Sequence, residues 1–278
     1  MLTRQYKLMP MTSRSQHFDV SCDDSTELQK LLNSLYAYKS NVATKHWHRS
    51  RIALFHLVLE KLTSGGLIRN FGTALDIGCN AGFYSRVISD FGFHDVSGID
   101  INPEYIAKAN ETFGSNVPGK RIAFTAMNAA EISRLNKTYD FILCTEVIEH
   151  TDAPLAVIDG IMQSLAKGGI AVISLPNSVS LGYLTPYLAD LVRGRGIGKE
   201  LRDHLKYPFF RGPGLFKHRG ARIVGTTGVN CLLNDRAVHL FHRARFFNTL
   251  NRANFWLSRR WPFKFAAQFF FFVIQAND

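Results

Sequence analysis

The chain of 278 residues has few cysteines and no long apolar run. The cysteines lie far apart and form no C-x-x-C pair: Cys22, Cys79, Cys144 and Cys231. This spacing argues against a zinc knuckle and against a disulfide framework, so we interpret the cysteines as reduced thiols. The strongest apolar run, residues 265–274, is interrupted by Gln268 and is half as long as the roughly 20 residues of a membrane-spanning helix.

A secretory signal is also absent from the first residues. Residues 1–14 contain no apolar stretch that ends in a small-residue cleavage site. We therefore expect a cytoplasmic protein that could still contact a membrane at its surface. With 46% hydrophobic and 20% charged residues, the composition is that of a folded globular chain with a sizeable core.

Acidic residues are scarce in one part of the chain. Residues 193–264 hold sixteen Lys and Arg but three Asp and Glu, whereas the whole chain has a net charge of +11. The rest of the chain is therefore close to neutral. Such a segment favours a negatively charged partner, namely phosphate, nucleic acid or an anionic membrane face, although a basic surface that only aids solubility explains it equally well.

Short apolar runs alternate with helical patterns from residue 73 onward, which predicts an α/β fold with a mostly parallel, doubly wound sheet. The predicted strands are 73–78, 94–100, 121–126, 139–145, 169–175, 221–226 and 265–274. The last run has no polar alternation, which is typical of a strand buried on both faces. Residues 167–169 are expected to end the helix that begins near Leu155.

The organisation outside this sheet is predicted from composition. Residues 1–64 form an N-terminal helical extension, with one leucine stripe at 28–35 and a second helix that Gly65 and Gly66 end. Residues 65–278 form the main domain. Proline, glycine and loose patterning indicate helical or loop insertions at about 178–215 and 230–262.

The most informative stretch is LDIGCNAGFYS at residues 75–85, which ends a strand, turns and opens a helix. Gly78 and Gly82 let the backbone approach a ligand, and Asn80 tolerates left-handed geometry. Asp100 ends the next strand, where an acid in a nucleotide-binding sheet accepts hydrogen bonds from ribose hydroxyls. Because Asn80 and Phe83 replace the remaining glycines of G-x-G-x-x-G, a pyrophosphate is less favoured than with that fingerprint.

Four motifs in this order resemble the class I S-adenosylmethionine-dependent methyltransferases. They are LDIGCNAGFYS at 75–85, GID at 98–100, YDFILCTEVIEH at 139–150 and LAKGGIAVISLPN at 165–177. The resemblance covers about residues 50–177. It implies a Rossmann-like sheet of seven strands whose last strand runs antiparallel, S-adenosyl-L-methionine as cofactor, and direct transfer of its methyl group.

The resemblance also implies which residues hold the cofactor. Asp76 and the turn from Gly78 to Gly82 would cradle the methionine part, Asp100 the ribose, and Ile101 and Met127 the adenine. The implied cofactor-binding residues are Asp76, Gly78, Cys79, Asn80, Gly82, Asp100, Ile101, Met127, Asn128 and Thr145. Many relatives have aspartate where Asn128 stands.

Within the family, E-x-x-E-H at 146–150 most resembles the ubiquinone-biosynthesis O-methyltransferases and, separately, the small-RNA 2′-O-methyltransferases. His150 could act as general base or orient the substrate, with Glu146 and Glu149 as its support. The three side chains could instead hold a divalent cation, which is not favoured because related methyltransferases with other substrates share the Glu-His pair. In those relatives, the Glu-His pair would serve only to shape the pocket, which is the alternative role for Glu149 and His150 here.

The segment before the penultimate strand usually forms the substrate wall in this family. His204, Tyr207 and Phe210 are the substrate-binding candidates there, and Phe210 could equally be a core residue. We expect a small amphipathic or lipid-like anionic acceptor, methylated on oxygen. Metal-dependent methylation of RNA ribose is the first alternative, and a non-catalytic cofactor-binding partner protein is the second. Nucleic acid is the less favoured partner, and the oligomeric state is left open.

Overall fold

The structure is a computed structural model that describes residues 42–194, 196, 211–217, 221–233 and 235–276. Helices and strands alternate along most of these residues, as the sequence predicts. In chain order they are α1 Val42–Ser64, β1 Thr73–Ile77, α2 Phe83–Asp90, β2 Asp95–Asp100, α3 Pro103–Phe113, β3 Ser115–Val117, β4 Lys120–Ala126, a 3-10 helix Ala129–Leu135, β5 Tyr139–Cys144, a 3-10 helix Ile148–His150, α4 Pro154–Ser164, β6 Leu165–Pro176, α5 Leu181–Val192, α6 Gly212–Lys217, β7 Ala221–Val229, α7 Asp235–Phe241, α8 Phe247–Leu257, a 3-10 helix Phe263–Ala266 and β8 Phe269–Ala276.

The strands of the described residues form one sheet in the order β3-β4-β2-β1-β5-β6-β8-β7. The five strands from β4 to β6 run parallel, and β8 is antiparallel to both of its neighbours. This arrangement confirms the doubly wound, mostly parallel Rossmann-like sheet and its antiparallel last strand. β3 is an additional edge strand that the sequence analysis missed, because a three-residue strand beside the tight Gly119 turn leaves no periodic signal.

Two predicted boundaries are wrong for physical reasons. α4 ends at Ser164 instead of at residues 167–169, which lie inside β6 as a bulge that contains Gly168 in a left-handed conformation. The last strand begins at Phe269 instead of at Phe265, because Phe265 belongs to a 3-10 turn. By sequence, a glycine at this position fits a helix end or a strand bulge, and Phe265 fits a strand or the turn before it. The pairing of β6 with β5 and of β8 with β7 decides between these alternatives.

Apolar side chains cover both faces of the sheet, and β8 shows this most directly. Phe269, Phe271 and Val273 belong to the core cluster that α1, α2 and α3 cover, whereas Phe270 and Phe272 belong to the cluster under α4 and α6. The prediction that this strand is buried on both faces is therefore confirmed. Alternate side chains of a strand point to opposite faces, so an unbroken phenylalanine run serves both clusters.

We expect Phe271→Ala to lower the free energy of unfolding by about 3–5 kcal/mol, because truncation leaves a cavity in the core cluster that α1, α2 and α3 cover. Leu188→Ala on exposed α5 is the matched control and should change the free energy by less than about 0.5 kcal/mol. Urea titration followed by circular dichroism measures both values. Equal values for the two variants would contradict the central position of β8.

Candidate active site

The parallel strands β1, β2, β4 and β5 end at the same edge of the sheet. Strand order reverses there, since the chain proceeds from β1 to β2 on one side and returns to β5 on the other side of β1. A crevice outside the carboxyl ends of the strands at such a reversal is where open α/β sheets bind ligands. Four loops that follow these strands therefore form the candidate site.

The turn after β1 approaches its neighbours too closely for ordinary side chains. Gly78, Asn80 and Gly82 all adopt left-handed backbone conformations, with φ of 71°, 49° and 83°. A Cβ atom on Gly78 would overlap the side chain of Val147 in the loop after β5. A Cβ atom on Gly82 would lie 2.7 Å from Phe124 on β4, so both glycines are required by the packing.

The carboxylate of Asp100 joins the turn after β1 to the loop after β2. Its Oδ2 accepts a hydrogen bond from the backbone N–H of Asn80, and its Oδ1 accepts one from Asn102, each at 2.9 Å. Each oxygen retains a lone pair for a further donor. Ile101, the next residue, has 71% of its surface exposed, so an apolar side chain stands open beside this carboxylate.

Asp76 lies beneath the turn and is fully buried at the end of β1. Its Oδ2 accepts a hydrogen bond from the Ser85 hydroxyl at 2.6 Å. Burial raises the pKa of Asp76 to about 7; the Ser85 hydrogen bonds oppose the shift, and the charge of Asp100 adds to it. Cys79 is buried beside it, and burial raises the pKa of its thiol far above the usual range, so this thiol is no nucleophile.

The E-x-x-E-H residues enter three different environments. Glu146, in a left-handed conformation, forms an ion pair with Arg51 of α1. Glu149 is 1% exposed, and neither of its carboxylate oxygens accepts a hydrogen bond from another described residue. His150 lies in the 3-10 helix with its side chain exposed to solvent. The chain places these side chains at one sheet edge but does not gather them around one point.

Burial of Glu149 raises its pKa to about 7, against the opposing influence of its own backbone N–H and of the charge on Arg51. Among the residues that the structure describes, no three His, Cys, Asp or Glu side chains are grouped so that they could hold a metal ion. The E-x-x-E-H residues thus do not fit a cation site, and we derive no chemistry through one.

The remaining predicted cofactor-binding residues lie at the same edge of the sheet, whereas the predicted substrate-binding residues lie outside the residues that the structure describes. Met127 and Thr145 are partly buried after β4 and β5, and the backbone N–H of Met127 donates to the carbonyl of Asp100. Asn128 is exposed and uses its side-chain oxygen to cap the following 3-10 helix, accepting from Ala130 at 3.0 Å. The substrate-binding candidates lie outside the described residues: His204, Tyr207 and Phe210.

Arg51 is the residue that the sequence analysis missed. It is 5% exposed and contacts His48 at 3.1 Å in addition to Glu146. Burial raises the pKa values of Glu149 and Tyr84, and the charge of Arg51 opposes both shifts. Tyr84 itself has a buried hydroxyl without a hydrogen-bond partner among the described residues. Arg51 lies four residues before Phe55 and therefore on the apolar stripe of α1. A basic residue on an apolar stripe is the sequence signal that could have indicated a buried, paired side chain.

The sheet order, the glycine turn and the Asp100 carboxylate are the features of Rossmann-like folds that bind a nucleoside-containing cofactor. A family model described as a methyltransferase domain matches residues 46–226. The chain therefore belongs to the methyltransferase domain family, and the resemblance inferred from its motifs is confirmed.

Curated relatives carry the name ubiquinone biosynthesis O-methyltransferase. The protein of Aeromonas salmonicida is 32% identical over 52% of this chain and 59% of its own length, and that of Paraburkholderia phytofirmans is 28% identical over 49% and 57%. The chain thus spans less than two thirds of the length of these relatives.

Solved structures share the fold at low sequence identity. A magnesium protoporphyrin IX methyltransferase from Synechocystis, with bound SAH, has a TM-score of 0.51 at 15% identity, over 92% of this chain and 90% of that one. A structure named as a putative sarcosine dimethylglycine methyltransferase, from Galdieria sulphuraria, has a TM-score of 0.54 at 15% identity. The match covers 83% of this chain and 88% of that one.

Glu149→Gln should reduce the pH dependence of folding. The pKa values of Asp76 and Glu149 rise to about 7 in the folded chain from ordinary values of 3.8 and 4.5. The folded state therefore holds more protons than the unfolded state between about pH 4 and 7, and the free energy of unfolding falls as the pH rises through that window. The variant removes one such group and should flatten this slope by up to about 1.4 kcal/mol per pH unit.

The measurement is urea unfolding of the ligand-free chain at a series of pH values. Asp152→Asn, an exposed acid on the same loop, is the matched control and should keep the wild-type slope. A full wild-type slope in Glu149→Gln would contradict burial of this carboxyl group.

Proposed function

We propose that the chain is an S-adenosyl-L-methionine-dependent methyltransferase that transfers a methyl group to an oxygen of a small amphipathic or lipid-like anionic acceptor. The observation that carries this proposal is the Asp100 carboxylate at the reversal of strand order, beside a turn in which Gly78 and Gly82 admit no Cβ atom. This arrangement suits a ribose and an adjoining chain of atoms better than it suits a pyrophosphate, which needs further glycines.

The residues present fit the proposed cofactor part by part. Asp100 would accept hydrogen bonds from the ribose hydroxyls, and exposed Ile101 would lie against the adenine. The left-handed turn from Gly78 to Gly82 would lie along the methionine chain, with Asp76 beneath it.

Once bound, S-adenosyl-L-methionine supplies an activated methyl group, and the chain contributes orientation and proton removal. His150 is exposed at the sheet edge, where its imidazole is placed to take the proton of an acceptor hydroxyl. Glu149 is too deeply buried to meet a substrate in this conformation. The ion pair between Glu146 and Arg51 instead holds α1 against the loop after β5.

The names of the curated relatives support an acceptor with a hydroxyl group and a lipid-like part. The basic surplus of residues 193–264 supports an anionic group on it. Neither of the other candidate functions, RNA ribose 2′-O-methylation and a non-catalytic partner role, gains support from the family model or from these relatives. Incubation of the purified chain with radiolabelled cofactor and fractionated extract tests the proposal, and label in the RNA fraction would overturn it.

Asp100→Ala should weaken binding of S-adenosylhomocysteine by about 1.5–3 kcal/mol, because hydrogen bonds to a charged group are lost. Calorimetric titration gives the affinity. Glu111→Ala, an exposed acid of α3, is the matched control and should bind like the wild type. Unchanged affinity in Asp100→Ala would exclude the proposed ribose contact.

His150→Ala should lower kcat by about 100-fold or more with little change in cofactor affinity, since general-base catalysis contributes about that factor. Rates of methyl transfer to the labelled fraction provide the measurement. His94→Ala, an exposed histidine at the opposite end of the strands, serves as control. Equal losses of kcat and cofactor affinity in His150→Ala would indicate a structural role instead.

A further inference from the structure

A second surface lies outside the matched family region, on α8 and the turn that follows it. We call Arg252, Trp256, Arg260, Trp261 and Phe263 the tryptophan–arginine face. Trp261 is 78% exposed and Trp256 is 48% exposed, and Phe263 is exposed as well. Large aromatic side chains that stand open in a group mark interaction surfaces more often than they mark ordinary solvent-facing positions.

Helix geometry places two members of this face together, and the turn after α8 supplies the others. α8 buries Phe247, Asn251 and Asn254, whereas Arg252 and Trp256 lie four residues apart on another side. The guanidinium of Arg260 lies 3.9 Å from the ring centroid of Trp256. Trp261 and Phe263 follow directly in the turn that leads to β8.

Buried polar contacts fix this face to the rest of the fold. The side chain of Asn251 hydrogen-bonds the ring of His46 on α1 at 2.8 Å. The Asn254 side-chain oxygen accepts from the backbone N–H of Leu232 at 2.8 Å, and the Ser258 hydroxyl binds both the Asn254 carbonyl and the Cys231 N–H. These hydrogen bonds fix the C-terminal end of α8, which carries Trp256 and leads into the turn with Trp261 and Phe263.

The segment that carries the face has charges of one sign. No Asp or Glu occurs between Asp235 and Asp278, and the interval holds seven basic residues: Arg236, Arg243, Arg245, Arg252, Arg259, Arg260 and Lys264. A basic cluster attracts anionic lipid headgroups. Tryptophan is the side chain that favours the boundary between headgroups and acyl chains, because its ring is apolar and its N–H is polar.

From these observations we infer that the tryptophan–arginine face docks on an anionic phospholipid surface, with Trp261 and Phe263 inserted at the headgroup boundary. An RNA strand fits less well. Stacking of a base needs an open ring face, and Arg260 already covers one face of Trp256. The inference concerns a surface distant in sequence from the cofactor turn and does not depend on the identity of the methyl acceptor.

The test is flotation of the full chain with vesicles of phosphatidylcholine and phosphatidylglycerol, compared with vesicles of phosphatidylcholine alone. We expect binding to the anionic vesicles that weakens with added salt, and quenching of tryptophan fluorescence when brominated lipids are included. Trp261→Ser with Phe263→Ser should weaken binding by about tenfold or more, and Arg252→Ala by about fivefold. Leu155→Ala and Lys108→Ala, exposed residues of α4 and α3, are the matched controls and should bind like the wild type.

Absence of binding, equal binding to both kinds of vesicle, or wild-type binding by the double variant would overturn the inference. Tighter capture of an RNA oligonucleotide than of anionic vesicles would overturn it too. Binding of S-adenosylhomocysteine by every variant shows that the chain is folded and leaves the proposed methyl transfer as a separate question. Quenching of the wild-type chain by brominated lipid tests insertion without any variant.

Discussion

The carboxylate of Asp100 is the interaction on which the sheet edge depends. By accepting one backbone N–H from the turn after β1 and one from the loop after β2, it sets the separation of two loops that belong to different strands. The glycines at 78, 82 and 98 then let Val147, Phe124 and Cys79 approach the backbone closely. These neighbouring side chains therefore occupy the space that a Cβ atom at any of the three glycines would need.

Beneath this edge, the chain buries ionisable side chains among apolar residues. Asp76, Glu149 and Arg51 are each at most 5% exposed, and neither carboxylate oxygen of Glu149 has a hydrogen-bond partner among the described residues. Burial of such groups costs stability unless they are paired. Proteins usually depart from the rules of stable packing only at functional sites, and this buried cluster adjoins the crevice that we assign to the cofactor.

The later part of the chain completes the sheet and then adds surface of a different kind. β7 and β8 extend the sheet by antiparallel pairing, and the phenylalanines of β8 supply both core clusters. The segment between these two strands, which contains α7, α8 and the turns around them, carries the basic residues and the exposed tryptophans. The cofactor crevice and the tryptophan–arginine face are therefore built by separate segments, so that substitutions at one need not disturb the other.

Much of this was determined by the sequence alone, because the decisive signals are local. Apolar runs marked the principal strands, Gly78, Asn80 and Gly82 marked a turn with left-handed geometry, and the four motifs in order indicated the family. Turn chemistry and strand period act over a few residues, so they can be recognised without knowing what lies nearby in space.

Other features were decided by tertiary structure. The ion pair of Arg51 with Glu146 joins residues far apart in the chain, and E-x-x-E-H could not reveal that its three side chains enter an ion pair, the interior and the solvent. The bulge in β6 and the short strand β3 depend on pairing with a neighbour. Burial, pairing and the resulting pKa values arise from what the whole fold places around a residue, and no local pattern carries that information.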